Sequence, residues 1–286
     1  MIKLKKLELM LMVAVAALLT IAVLGPAIAQ PAHQHAFADQ RAWHGIPFAM
    51  DVLSNLLFAV WGLAGLVCWL GLLVQAKERH TKTMHNKTSH IKQNTEHALA
   101  GLFFAGLVAT AAASSYYHWQ PDDIGLGFDR LGMAVAFAGL LGLAVASRIS
   151  HRAGAAIAAA MLLLGPLSVW FWFVSSNVMP WLVVQFGGMA LILWLAFNKP
   201  LHGALQVRWG AVIAVYAAAK FLELADHQIY ELTSHAISGH SLKHLVASFA
   251  AWPVFKAVVS ALGSAQKQGR IRGTTFENKL EHKAAA

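Results

Sequence analysis

Between Asp129 and Arg148 the chain reads DRLGMAVAFAGLLGLAVASR. Charge is confined to the two ends of this stretch, and its interior is apolar or small. An α-helix rises about 1.5 Å per residue, so about 20 such residues match a hydrocarbon core roughly 30 Å thick. The stretch predicts a transmembrane helix. Comparable runs lie on both sides of it, over 50–75, 96–118, 153–174, 180–197, 208–226 and 241–263, with an eighth at 8–29. The predicted fold is an all-α integral membrane protein. A seven-transmembrane-helix bundle occupies residues 30–263, an N-terminal hydrophobic segment residues 1–29, and a basic tail residues 264–286.

Composition agrees with this reading. Hydrophobic residues make up 58% of the chain and charged residues 12%, against roughly 45–50% and about 25% in soluble proteins. So few charges could not cover a soluble core. The net charge of +9 does not indicate nucleic acid, because the cations sit in short runs between apolar stretches. Cys68 is the only cysteine, which excludes a disulfide framework and a cysteine-based metal site. The longest polar stretch is Lys77 to Asn94, too short for a soluble domain.

The N-terminal run has two readings. Lys3, Lys5 and Lys6 form a positive flank, Leu9 to Leu24 an apolar core, and Ala27-Ile28-Ala29 resembles a cleavage site. It is either a removed signal peptide or an extra transmembrane helix. Loop charges then set an orientation. Lys3–Lys6, the 77–92 loop, Arg148 and Arg152, Lys199 and Arg208, and the tail share one side. The other side holds few cations and Asp39, Asp122, Asp123, Asp226 and Glu231. The positive-inside rule makes the basic side cytoplasmic, with the C-terminus, and the acidic side external or lumenal.

Ionisable residues in spans cost roughly 2.5–3.5 kcal/mol each on insertion scales and need a reason. Two clusters stand out at the acidic side. One is Ser114-Ser115-Tyr116-Tyr117-His118, followed by Asp122, Asp123 and Asp129; the other is Gly239-His240-Ser241-Leu242-Lys243-His244. His240 and His244 are spaced to share a helix face, with Cβ atoms about 5–6 Å apart, and Ser114 and His118 have the same spacing. A lone histidine at a membrane end is ordinarily an interfacial residue. Three that converge on one ion with an open fourth position match a catalytic zinc site. Asp129, a carboxylate outside the ligand set, would then be the base for an attacking water. Asp122 and Asp123 beside Pro121 read as turn residues, and Glu223, Asp226 and His227 as a solvated helix end rather than the lining of a site entrance.

Ser114-x3-His118, Asp129 eleven residues beyond that histidine, and His240-x3-His244 together resemble the motif set of the alkaline ceramidase family. That family belongs to a superfamily of seven-helix membrane hydrolases that includes adiponectin-receptor and haemolysin III-like proteins. Asp51-Val52-Leu53-Ser54-Asn55-Leu56-Leu57-Phe58 is similar to the family's first core helix, where a Ser-Asn pair recurs. The resemblance covers about residues 45–262. It implies a zinc-dependent hydrolase that cleaves the amide of a ceramide-like lipid to a long-chain base and a fatty acid. His118, His240 and His244 would be ligands to Zn2+, Asp129 would position or deprotonate the water, and Ser114 would hold the zinc site or the oxyanion. Two departures, Lys243 where eukaryotic members carry an aromatic and the lack of their acidic calcium-binding segment at Asp39–Gly45, fit a bacterial branch. Calcium regulation is not implied. The expected setting is a bacterial inner membrane, with the bilayer and a membrane lipid as partners.

Other classes stay open at this stage. Paired membrane histidines also ligate haem in electron carriers, and a receptor or sensor could keep the zinc site without turnover. His80, His85 and His90 recur at a spacing that shares no helix face. His33, His35 and His44 carry no metal pattern. Trp170, Trp172 and Trp181 read as an aromatic belt, Gly187-Gly188 as a close helix contact, and Asn86-Lys87-Thr88 as a sequon in a cytoplasmic loop.

Overall fold

The computed structural model describes the backbone of residues 5–82 and 87–266, with side chains for 5–75 and 95–266. The helices run α1 Lys6–Leu24, α2 Ala49–Ser54, α3 Leu56–Lys82, α4 Lys87–Trp119, α5 Asp123–Arg148, α6 His151–Ser175, α7 Met179–Leu182, α8 Gly188–Ala196, α9 Trp209–Leu224, α10 Asp226–Leu232 and α11 Gly239–Ser248. A π-helical turn, Val183–Gly187, joins α7 to α8. The molecule is 78% helical with no strands among the described residues.

Among the described residues seven helices are long and apolar enough to cross a membrane, so the chain is a multi-pass helical membrane protein in a lipid environment. The N-terminal helix is one of the seven. The expected span at 208–226 forms α9, only 16 residues long and so about 24 Å. It stops at Ala225 because the chain turns there to bury Asp226. The polar stretch 77–94, expected as a loop, is helical at both flanks. The side chains of His80, His85 and His90, residues 83–86 with Asn86 of the sequon, and the tail beyond Gln266 lie outside the described residues.

α5 is the most enclosed span and α1 the least. Short connections make α4, α5 and α6 neighbours, and α11 packs along α9. Close approach of α4 to α5 requires Gly106, where an added Cβ would lie 2.3 Å from the Ala136 nitrogen. Gly187 has the packing role expected of the pair, since a Cβ there would meet Leu18 of α1 at 2.9 Å.

Two charged side chains of the core find partners that the sequence did not announce. Glu8 of α1 is buried and accepts from Arg152 Nε at 2.8 Å and from the Ser150 hydroxyl at 2.6 Å. Arg130 of α5 lies 4.2 Å from the ring of Trp172 and 5.7 Å from that of Trp181, and donates to Gln30 Oε1 at 2.9 Å. Trp172 and Trp181 are therefore buried around a guanidinium rather than set in an interfacial belt, which corrects the expectation for them; Trp170 is exposed.

Residues 30–48 form an irregular strap across one end of the bundle. His35 bonds the Tyr117 hydroxyl at 2.9 Å and Asp123 at 3.1 Å. Asp39 is buried and paired with Arg41, whose Nε donates at 2.8 Å. Burial alone would raise the Asp39 carboxyl, but the Arg41 bonds outweigh it and hold the group below its usual range.

Candidate metal centre

His118 stands in the last turn of α4, and His240 and His244 in the first turns of α11. The α4–α5 connection is tight because the Asp122 carboxylate caps α5, accepting from Gly125 N at 2.6 Å. That explains Asp122 as expected, without a catalytic role. α11 is capped in turn by Ser238, whose hydroxyl accepts from Ser241 N at 3.0 Å. Its start lies hard against the α9–α10 corner. A Cβ on Gly239 would sit 2.3 Å from the Leu222 carbonyl oxygen and 2.8 Å from Asp226 Cα, so only glycine fits there. Asp226 is buried rather than solvated: Oδ1 accepts from His240 N at 2.8 Å and Oδ2 from Ala38 N at 3.0 Å. One carboxylate thus fixes both the strap and the histidine helix.

The result is that His118, His240 and His244, all buried, each offer a ligand nitrogen, and these nitrogens lie within 4.8 Å of one another. His118 Nε2 and His240 Nε2 are 3.3 Å apart. Two nitrogens about 2.0–2.1 Å from one tetrahedral ion would be separated by roughly 3.3–3.4 Å, so this spacing fits a small divalent cation.

The third imidazole is oriented by its other nitrogen. Ser54 Oγ is 2.8 Å from His244 Nδ1 and 3.0 Å from the Asp51 carbonyl oxygen. The carbonyl can only accept, so the single serine proton goes to it, and Nδ1–H of His244 donates to Oγ. That tautomer leaves the Nε2 lone pair for an ion. Ser241 fastens the same two helices by donating to Asp51 Oδ1 at 2.6 Å. We expect Ser54→Ala to weaken divalent-ion binding about 10–100-fold, measured by competition with a chromophoric chelator. Unchanged affinity would mean the tautomer is set elsewhere.

Asp129 is half-buried in α5 and hydrogen-bonded to the Ser114 side chain of α4. Neither belongs to the group of convergent ligands. The strap covers the site with Phe37, whose ring centroid is 4.6 Å from those of both His118 and His240. Lys243 Nζ reaches His240 Nε2 at 2.9 Å and Glu223 Oε1 at 3.0 Å, and Glu223 also pairs with Lys220. Glu223 is therefore an ion-paired residue of the site wall, not a solvated helix end, whereas His227 is exposed and meets only the Ala36 carbonyl. Sequence reasoning brought the three histidines together but assigned nothing to Phe37, noted Ser54 only within a Ser-Asn pair, and read Glu223 as a solvated helix end rather than as lining a site. The available signal for Ser54 was the polar trio Asp51, Ser54 and Asn55 at the mouth of an apolar run.

No protein-family model matches the chain and no curated protein matches it, so the functional reading rests on this geometry.

Proposed function

We propose that the chain is a zinc-dependent intramembrane hydrolase that cleaves the amide bond of a ceramide-like lipid, releasing a long-chain base and a fatty acid. The observation that carries this reading is the buried trio of imidazoles, His118, His240 and His244, converging on one point; Asp129, on the helix that follows His118, is the carboxylate we assign as base. His118, His240 and His244 would hold the ion; when bound, zinc supplies Lewis acidity and lowers the pKa of water toward about 7. Asp129 accepts the proton of the attacking water at a carboxylate oxygen. The water oxygen bonds to the amide carbon, the C–N bond breaks, and the same proton passes to the departing nitrogen. Ser114 holds the Asp129 carboxylate in place. Phe37 shields the imidazoles on the strap side, which suits a substrate delivered from the bilayer.

The charge pattern supports a site near the external face, as the periplasmic face of a bacterial inner membrane would provide, with a cytoplasmic C-terminus. A haem carrier is less well supported, because 3.3 Å between two histidine nitrogens and a covering phenylalanine leave no slot for a porphyrin. A metal-holding sensor differs from the hydrolase only in turnover. Incubating the purified protein with mixed sphingolipids and other N-acyl lipids, with and without a chelator, tests this directly. We expect zinc by elemental analysis, no Soret absorbance, and chelator-sensitive release of fatty acid. Zinc without release from any amide would favour the sensor.

A further inference from the structure

Three charged side chains, Lys220, Glu223 and Lys243, form one ion-paired group next to the histidines, and each is partly exposed. Nothing in the hydrolytic scheme uses them, and charges placed among membrane helices are costly unless paired or functional. Pairing accounts for only part of the arrangement, because a single carboxylate serves two ammonium groups. Lys243 Nζ has three N–H donors; one meets Glu223 Oε1 at 3.0 Å and another meets His240 Nε2 at 2.9 Å. An imidazole nitrogen that ligates an ion cannot also accept a proton from lysine. With His240 Nε2 given to an ion, that N–H of Lys243 would be free to meet another acceptor while Glu223 keeps the ammonium in place. With two lysines and a divalent cation against Glu223 and Asp129, the loaded pocket is net positive.

Lys220 is tied to the same carboxylate, and its ammonium lies 5.6 Å from the ring of Phe186 in the π-helical turn. Phe186 is itself exposed on the molecule's surface. The cations thus lie between the histidines and a surface that faces lipid.

We infer that Lys243, held by Glu223 and backed by Lys220, is the substrate-anchoring cation of this site, and that the preferred amide lipid carries an anionic group, a carboxylate or a phosphate, next to the scissile bond. This rests on the hydrolase reading for the word substrate, but the anion preference is measurable without turnover. A charge-assisted hydrogen bond from a lysine held in place by a neighbour favours such an oxygen over a neutral hydroxyl.

The test uses zinc-loaded full-length protein in phosphatidylcholine nanodiscs, carrying Asp129→Asn so that ligands survive. Binding of N-palmitoylglycine, N-palmitoylethanolamine and N-palmitoylethanolamine phosphate is compared. We expect one or both anionic amides to bind at least tenfold tighter than the neutral one; the member preferred identifies the group. Lys243→Gln should abolish that preference with zinc content unchanged, and Lys243→Arg should keep it. Equal binding of all three would overturn the inference, as would a preference that survives Lys243→Gln, since the ion alone would then carry it. If Lys243→Gln does not fold, Lys243→Met takes its place as the charge-removing variant, and equal binding of all three amides by the parent protein overturns the inference without either. Hydrolysis of neutral ceramide by the Asp129-containing protein without anion preference would sink this inference alone. Lysine-dependent anion binding without hydrolysis of any amide would sink the hydrolase reading alone.

Discussion

Replacing His240 by alanine should remove most bound zinc and abolish turnover, and His118→Ala and His244→Ala should do the same. The three nitrogens form one group within 4.8 Å, and two remaining imidazoles do not make a structural or catalytic zinc site of the ordinary three- or four-ligand kind. His240 is the most informative position. Its backbone is fixed independently of its ring, by Asp226 on His240 N and by the Ser238 cap. Losing the imidazole therefore leaves α11 anchored, and metal loss can be read without confusion with unfolding. Elemental analysis and circular dichroism on the same sample make the measurement. Full zinc occupancy in His240→Ala would mean that the pair is interfacial and the site assignment wrong.

Asp129→Asn should keep zinc and fold and lose activity by about 10²–10⁴-fold, the usual worth of general-base help. Asparagine preserves size and can still accept a hydrogen bond from Ser114, but it cannot take up a proton from water. The ligand group does not include Asp129, which is why occupancy should survive. Single-turnover rates on an N-acyl lipid, with zinc measured alongside, separate the outcomes. Near-normal turnover with zinc retained would remove Asp129 as the base. Loss of zinc would make it a ligand or an essential support.

Much of the architecture was legible because lipid imposes a simple rule: a span must be long and apolar, and hydropathy reads both. The same rule overran the helix end at 208–226, where α9 stops at Leu224 and the chain turns at Ala225. A buried aspartate bonded to two backbone amides from other segments has no local signature. The histidine pair was legible because helical spacing puts residues four apart on one face. His118 joined it only through order and membrane side. Ser54 and Glu223 gain their roles from partners far along the chain, His244 and Lys243, and no local spacing contains that. Trp172 and Trp181 were misread for the same reason: an aromatic near a membrane end looks interfacial until an arginine from another helix is found against it.

The buried clamp on Glu8 also bears on how the protein is made. Its partners Ser150 and Arg152 lie 142 and 144 residues further along the chain. While the ribosome is still producing the intervening helices, α1 has neither of them. A carboxylate without its cation prefers the aqueous boundary, since placing an acid such as aspartate in mid-bilayer costs on the order of 2.5–3.5 kcal/mol. The nascent helix therefore stays loosely held with its charged end at the water interface, and docks only once the start of α6 emerges. The first helix to be synthesised therefore gains its buried ion pair only after α2 to α5 have been made, so it is locked later than the order of translation alone would have it.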